Sequence, residues 1–293
     1  MTRAGLIALA GRPNVGKSTL VNAIVGEKVA IVSDKPQTTR RAIRGVATRR
    51  DVQLVLIDLP GVQRPLDELT RRMQRRVEVE LADCDAALLV LNAREGVGPG
   101  DRFIAALLAR SPVPVVVALN KVDRLRPAQI AEALVAAAEL GVGEDIFPVS
   151  ARTGEGVEEL AGHLATLVPE GPFLFDVEDR SDQPLAVVLA ELVREQVLRR
   201  TFQEVPHAVE VIVEEVEHPR EDLSVVRARV WVESESQKGI LIGAGGRMIK
   251  QVGSAARREL ERELGTRVHL ELSVRVRRGW RADERLLDRL GID

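Results

Sequence analysis

The octapeptide Gly11-Arg12-Pro13-Asn14-Val15-Gly16-Lys17-Ser18 has residue types and spacing suited to capturing a polyphosphate. Its glycines let the backbone curl so that successive N–H groups converge on an anion. Lys17 would reach the β- and γ-phosphates, and the Ser18 hydroxyl would ligate Mg²⁺. Gly11, Asn14, Val15, Gly16 and Thr19 complete the expected phosphate-binding set. Further along, Asp58-Leu59-Pro60-Gly61 closes an apolar run. Asp58 there would hold the same Mg²⁺ through water, and Gly61 can bring its N–H against a γ-phosphate with no Cβ in the way. Between the two motifs, Pro36-Gln37-Thr38-Thr39-Arg40 offers two hydroxyls. Thr39 is the expected third metal ligand and Thr38 the alternative. Lys17, Thr39 and Gly61 are the candidate catalytic residues.

A third motif, Asn120-Lys121-Val122-Asp123, selects the base. The Asp123 carboxylate can accept from both N1–H and the 2-amino group of guanine. Adenine lacks that amino group and would leave the carboxylate unpaired, and a site built to bond a missing group rejects the analogue strongly. Asn120 would tie this loop to the phosphate loop, and the Lys121 stem can lie over the purine plane. Downstream, Ser150-Ala151-Arg152 would add a backbone N–H near Ala151 for guanine O6.

These residues need a scaffold that ends its strands side by side. Gly5–Ala10 reads as a buried strand and Thr19–Val25 as a helix stopped by Gly26. The stretch 28–41 reads as a loop. Ile43–Thr48 and Gln53–Ile57 read as two strands joined by a charged turn, and Leu66–Leu81 as a surface helix. The continuous apolar runs Ala86–Leu91 and Val113–Leu119 suit strands covered on both faces. Helices over Asp101–Ala109 and Ala128–Leu140, a last strand Ile146–Val149 and a helix Glu158–Val168 complete an α/β domain with a mostly parallel sheet and helices on both faces.

Bulk properties exclude several classes. A net charge of −2 gives no global nucleic-acid signal, so any such signal is local. A single cysteine, Cys84, permits no internal disulfide and is expected to be a packed thiol. No apolar run approaches ~20 residues, so no integral membrane segment is expected, and the start of the chain lacks a signal-peptide pattern. A cytoplasmic location is expected. Aromatics are 2% of residues with no tyrosine, which disfavours base stacking as a binding mode.

After Pro169-Glu170-Gly171-Pro172 the composition turns acidic, and a linker is expected over 169–182. Charge then splits: residues 170–237 carry 16 acidic against 7 basic side chains, whereas 238–281 carry 11 basic against 4 acidic. A basic face on a near-neutral chain points to a polyanion. The pattern after the linker is helix (Leu185–Arg200), strand (Ala208–Glu217), strand (Ser224–Glu233), helix, loop, helix (Met248–Leu264), strand (Arg267–Val276). The loop, Ile242-Gly243-Ala244-Gly245-Gly246-Arg247-Met248-Ile249, puts glycines at a helix start, where a nucleic-acid backbone can approach main-chain N–H groups. Lys238, Gly243, Ala244, Gly245, Gly246, Arg247, Lys250 and Arg257 are the expected RNA-binding residues, with Arg258 beside them.

With five motifs in order, residues 1–168 resemble a translation-factor-type GTPase domain. Residues 183–278 resemble a type II KH domain, of α+β class, leaving 279–293 as a tail. The whole chain, ending in Gly279-Trp280-Arg281-Ala282-Asp283-Glu284-Arg285, resembles the Era family of bacterial GTPases of small-subunit ribosome maturation. The resemblance implies GTP and GDP as ligands with Mg²⁺, the 3′ end of 16S ribosomal RNA and the 30S subunit as partners, and RNA binding gated by GTP. It implies no DNA partner and a monomer. It also implies occasional peripheral membrane association, for which no anchor is visible. Leu59 stands where the family usually has Thr after the metal-facing aspartate. Val62 follows Gly61 where Ras-like enzymes place a water-orienting glutamine. Asn14 matches the asparagine that potassium-activated relatives use as a ligand, which makes K⁺ a further candidate cofactor; Arg40 and Arg41 are the alternative charge donors. A metabolite kinase is disfavoured by the Asn120–Asp123 motif, and a tRNA-modifying GTPase by the lack of a cysteine near the C-terminus.

Overall fold

In the computed structural model, residues 1–35, 38–62, 68–202 and 204–292 are described, without the side chains at 74, 76 and 78. Pro36, Gln37 and the expected helix start at Leu66 lie outside the described residues. The chain divides into two compact units.

The first unit spans Met1–Ala30, Thr39–Asp182 and Gly291–Asp293. Its strands are β1 (Arg3–Ala10), β2 (Ile43–Arg49), β3 (Val52–Asp58), β4 (Ala86–Asn92), β5 (Val115–Asn120) and β6 (Ile146–Val149). They form one sheet in the order β2-β3-β1-β4-β5-β6, parallel throughout except for the β2–β3 pair. The helices are α1 (Lys17–Val25), α2 (Glu68–Ala82), α3 (Pro99–Leu108), α4 (Pro127–Ala138) and α5 (Val157–Leu167). Side chains alternate faces along a strand. Ile7 and Leu9 therefore pack with α1 and α5 in one core, and Ala8 and Ala10 with α2, α3 and α4 in another. Burial on both sides explains why these strands read as unbroken apolar runs. Four strand ends carry the motifs: Gly11 follows β1, Asp58 ends β3, Asn120 ends β5 and Ser150 follows β6. Open α/β sheets bind ligands at this carboxyl edge, where the strand order reverses.

The stretch 169–182 lies along this unit. Buried Gln53 accepts the N–H groups of Leu174 and Phe175 at 2.8 and 3.0 Å and donates to Phe175 O at 3.0 Å. Isolated bridges pair Arg3 with Glu170 and Gly45 with Ser181. Proline-rich, acidic composition reads as a linker, but a buried carboxamide leaves its hydrogen-bonding capacity unmet unless it finds backbone partners, and here it finds this stretch. Cys84 is buried, and burial together with neighbouring acidic groups pushes its thiol up to about 12, so it is an unreactive thiol.

The second unit holds Ile31–Thr38 and Gln183–Leu290. Its elements are α6 (Leu185–Arg200), α7 (Val205–Ala208), β7 (Glu210–Arg220), β8 (Leu223–Val232), α8 (Glu235–Ile242), α9 (Arg247–Leu264), β9 (Arg267–Val276) and α10 (Glu284–Arg289). The sheet order is β7-β8-β9, with β9 parallel to β8, and α6 and α9 bury their apolar sides with the strands in one core. The strand expected from Ala208 begins instead at Glu210, because Pro206 opens the short helix α7. The tail is ordered too. Trp280 is fully buried and its Nε1–H donates to Ala208 O at 2.9 Å, while Asp283 caps α10 by accepting the Leu286 N–H. Residues 31–38 are held within this unit by α6, where Glu195 accepts the Val32 N–H at 2.9 Å and the Arg194 guanidinium donates to Thr38 O. No helix among the described residues is long and apolar enough to cross a membrane.

Candidate functional site

Gly16 ends the phosphate loop in the left-handed region and α1 starts at Lys17, so the first N–H groups of the helix open toward the loop. Lys17 is 6% exposed; its ammonium donates to Gly11 O and Arg12 O at 3.1 and 3.2 Å. Burial lowers its pKa to about 8, against the pull of Asp58. Arg12 is pinned to buried Asp101 at 2.9 Å, a tether from the loop to α3.

Three oxygens meet beside the lysine. Ser18 Oγ donates to Asp58 Oδ2 at 2.6 Å, Thr39 Oγ1 donates to the same oxygen at 3.2 Å, and the two hydroxyls are 3.1 Å apart. Asp58 is fully buried, and its Oδ1 has no hydrogen-bond partner. Burial raises its pKa, opposed by Lys17, Ser18 and Thr39. Two hydroxyls and a carboxylate with an unmet buried oxygen form a hard-oxygen set that fits Mg²⁺. Thr38 is turned elsewhere, its hydroxyl donating to Lys35 O at 2.6 Å. Gly61 abuts the loop so closely that an added Cβ would lie 2.8 Å from Pro13, and the next residue, Val62, is buried with its N–H on Gly11 O at 3.2 Å.

Asn120 knits the base side to the phosphate side. Its Nδ2 donates to Val15 O at 3.0 Å, and its Oδ1 accepts the Lys121 and Ala151 N–H groups at 2.8 and 3.0 Å. The N–H expected to face guanine O6 at Ala151 is thus bonded to Asn120. Lys121 reaches back to Asn14 O at 2.5 Å. Asp123 accepts from Ser150 Oγ at 2.8 Å and pairs with Arg152 at 2.5 Å. Burial pushes the Asp123 carboxyl up, but these bonds outweigh it and hold the group below the usual carboxylate range. Asn14 itself has φ 64°, a left-handed conformation that asparagine tolerates better than most residues.

The expected RNA-binding residues gather at one end of the second unit. Ser234 caps α8 by accepting the Gln237 N–H. After Gly243 the chain turns through Gly245 (φ 60°) and Gly246 (φ 76°) into α9, both left-handed, and an added Cβ at either would meet nothing within 4 Å. Glycine is there for its backbone freedom, and the space in front is open to a ligand. Arg247 donates to Ala244 O at 3.3 Å, Lys238 lies 3.8 Å from Glu235, and Arg257 lies 3.7 Å from Glu261. A cavity of about 400 Å³ between α9 and β9 has an apolar floor that includes Val268, Leu270 and Leu272, with Lys250, Arg257 and His269 also lining it. The β9 residues escape sequence reading, because their place beside α9 depends on the parallel β8–β9 pairing. Their strict alternation was the available signal.

A family model described as 50S ribosome-binding GTPase matches residues 6–121, and one described as KH domain matches residues 204–281. The chain is 42% identical to GTPase Era of Lactobacillus helveticus over 99% of its own length and 96% of that protein. It is 44% identical to GTPase Era of Mycolicibacterium paratuberculosis over 99% and 98%. The chain belongs to the Era family of GTPases. It is accordingly a GTP-hydrolysing enzyme with a P-loop GTPase domain followed by a KH domain. A solved Era structure, in complex with MgGDPNP and nucleotides 1506–1542 of 16S ribosomal RNA, matches with TM-score 0.95 at 33% identity, covering 100% of this chain and 99% of that one. Aquifex aeolicus Era bound to GDP·AlF4⁻ matches with TM-score 0.94, covering 99% of each chain.

Proposed function

We propose that this GTPase binds GTP with Mg²⁺ and binds 16S ribosomal RNA near its 3′ end, acting in maturation of the 30S subunit. The reading is carried by the whole-length likeness to an Era structure that holds both MgGDPNP and a 16S fragment. The oxygen triangle of Ser18, Thr39 and Asp58 supports it at one end and the glycine-hinged basic rim at the other. A pull-down of the full chain with GTP or GDP, with the retained RNA sequenced, tests it. Enrichment of the 16S 3′ end is the expected result, and RNA drawn evenly from all species would overturn it.

Ser18, Thr39 and Asp58 would hold the metal, which supplies neutralisation of the phosphate charge. Lys17 contributes the fixed cation on the β- and γ-phosphates, and Gly61 an N–H toward the γ-phosphate. Asp123 bonds the guanine edge, while Asn120 and Lys121 fix the base loop to the phosphate loop. Thr39→Ala is expected to slow Mg²⁺-dependent hydrolysis roughly 10²-fold, the scale for losing one preorganised polar group. Thr38→Ala, which removes a bond to Lys35 O, should stay within a few-fold. Single-turnover rates across a Mg²⁺ titration check both, and equal losses would return Thr38 to the metal.

Val62 is apolar and buried, so it does no acid–base work on the attacking water. Slow intrinsic hydrolysis follows. A monovalent cation beside Asn14 would supply charge where a finger arginine is worth ~10³–10⁵-fold. Hydrolysis is expected to run faster in KCl than in NaCl, and Asn14→Ala to abolish the difference while GTP stays bound. Equal rates in the two salts would shift the role to Arg40 or Arg41.

A further inference from the structure

The exposed side of α9 divides into two clefts. One is the α9–β9 groove. The other, on the side of α6, is a cavity of about 500 Å³ lined by Arg200, Arg247, Lys250, Gln251, Ser254 and Arg258, sharing Lys250 and Ser254 with the first. Four cationic side chains face it, and among the described residues none of the four is ion-paired with a carboxylate. By contrast, Arg257 in the groove lies beside Glu261. Like charges converging on one cavity repel unless an anion joins them.

Helix stability does not explain them. Arg247 and Lys250 stand in the first turns of α9, where the positive end of the helix dipole disfavours cations, while Glu259, Glu261 and Glu263 stand near its end, where acids are disfavoured. The placement concentrates positive potential at the end of α9 that meets the glycine loop. Gln251 and Ser254 add neutral donors of the kind that bond phosphate oxygens.

We infer that the α6–α9 cleft is a second RNA site, which takes phosphodiester groups of a stretch of RNA continuing past the strand in the α9–β9 groove. The inference rests on the RNA-binding reading above. A glycine loop of this kind clamps about four nucleotides, so a longer RNA bound by the same unit must run beyond the groove, and Lys250 and Ser254 connect the two clefts.

Binding of the full chain would be measured with an RNA equivalent to nucleotides 1506–1542 of 16S RNA and with overlapping ten-nucleotide pieces of it. The long RNA is expected to bind more tightly than the best piece. Arg200→Gln with Arg258→Gln should remove most of that gain, on the order of tenfold, and leave the best piece unchanged. The salt slope for the long RNA should fall by about 1.4, at roughly 0.7 per phosphate contact. Arg200→Lys with Arg258→Lys, which keeps the charge, should retain the slope, and GTP affinity reports that the fold is intact. Equal loss on long and short RNA, or no loss on either, overturns the second site while leaving groove binding in place. Failure of the unmutated chain to bind any of these RNAs overturns both readings.

Discussion

Asp123→Asn should invert the base preference of the nucleotide site. The carboxylate sits between Ser150 Oγ at 2.8 Å and Arg152 at 2.5 Å, at the end of a loop fixed by Asn120. Its two oxygens match two donors on guanine. An asparagine offers one acceptor and one amide donor, and the donor meets the 2-amino group of guanine unfavourably. Sites built on such bonds discriminate by about 10⁴, and a loss of GTP affinity of that order is expected. Xanthosine triphosphate carries a 2-oxo group that accepts from the new amide, so its affinity should rise. Arg152 loses its ion pair in this variant, but its side chain is 67% exposed, and exposed pairs contribute ~0–1 kcal/mol. Arg152→Ala should therefore change GTP affinity only a few-fold, which separates the base contact from its neighbour. Equilibrium titrations with GTP, xanthosine triphosphate and ATP decide the matter. Wild-type GTP affinity in Asp123→Asn, or a parent that prefers ATP, would remove Asp123 from the guanine edge.

The nucleotide site was legible in the sequence because each motif is a few contiguous residues at the end of one strand, so type and spacing carry the chemistry. What escaped depends on residues far apart. Composition alone leaves Thr38 and Thr39 equivalent, and only the side-chain directions separate them, one hydroxyl on Lys35 O and the other on Asp58. The tether of Arg12 to Asp101 joins positions in different motifs, and nothing local to either announces the other. Gln53 reads as a polar residue in a strand, yet it is fully buried and decides where 174–175 lie. Likewise Trp280 reads as a tail residue, but its indole is fully buried and bonded to Ala208 O. In the second unit the glycine loop and its cations were readable from charge and spacing. The two clefts beside α9 were not, because each is closed by an element that pairs or packs at long range.

Replacing both Gly245 and Gly246 by Asp should collapse RNA binding while leaving nucleotide binding intact. Both residues are left-handed, so any side chain there carries backbone strain of roughly 1–2 kcal/mol each. Aspartate is among the residues that tolerate this conformation best. An added Cβ meets nothing within 4 Å, so no clash is added to the strain. The fold should survive. The ligand side changes more: two carboxylates would stand where phosphates approach main-chain N–H groups, within a rim built from Lys238, Arg247 and Lys250, and like charges there repel the backbone the rim attracts. A loss of RNA affinity of roughly 10²-fold or more is expected in a gel-shift at moderate salt, with GTP affinity unchanged. Gly245→Asn with Gly246→Asn separates the causes, since it keeps the strain and the bulk but not the charge, and it should fall between the parent and the aspartate variant. Wild-type RNA affinity in the aspartate variant would move the RNA away from this loop, and equal losses in the two variants would assign the effect to backbone geometry rather than charge.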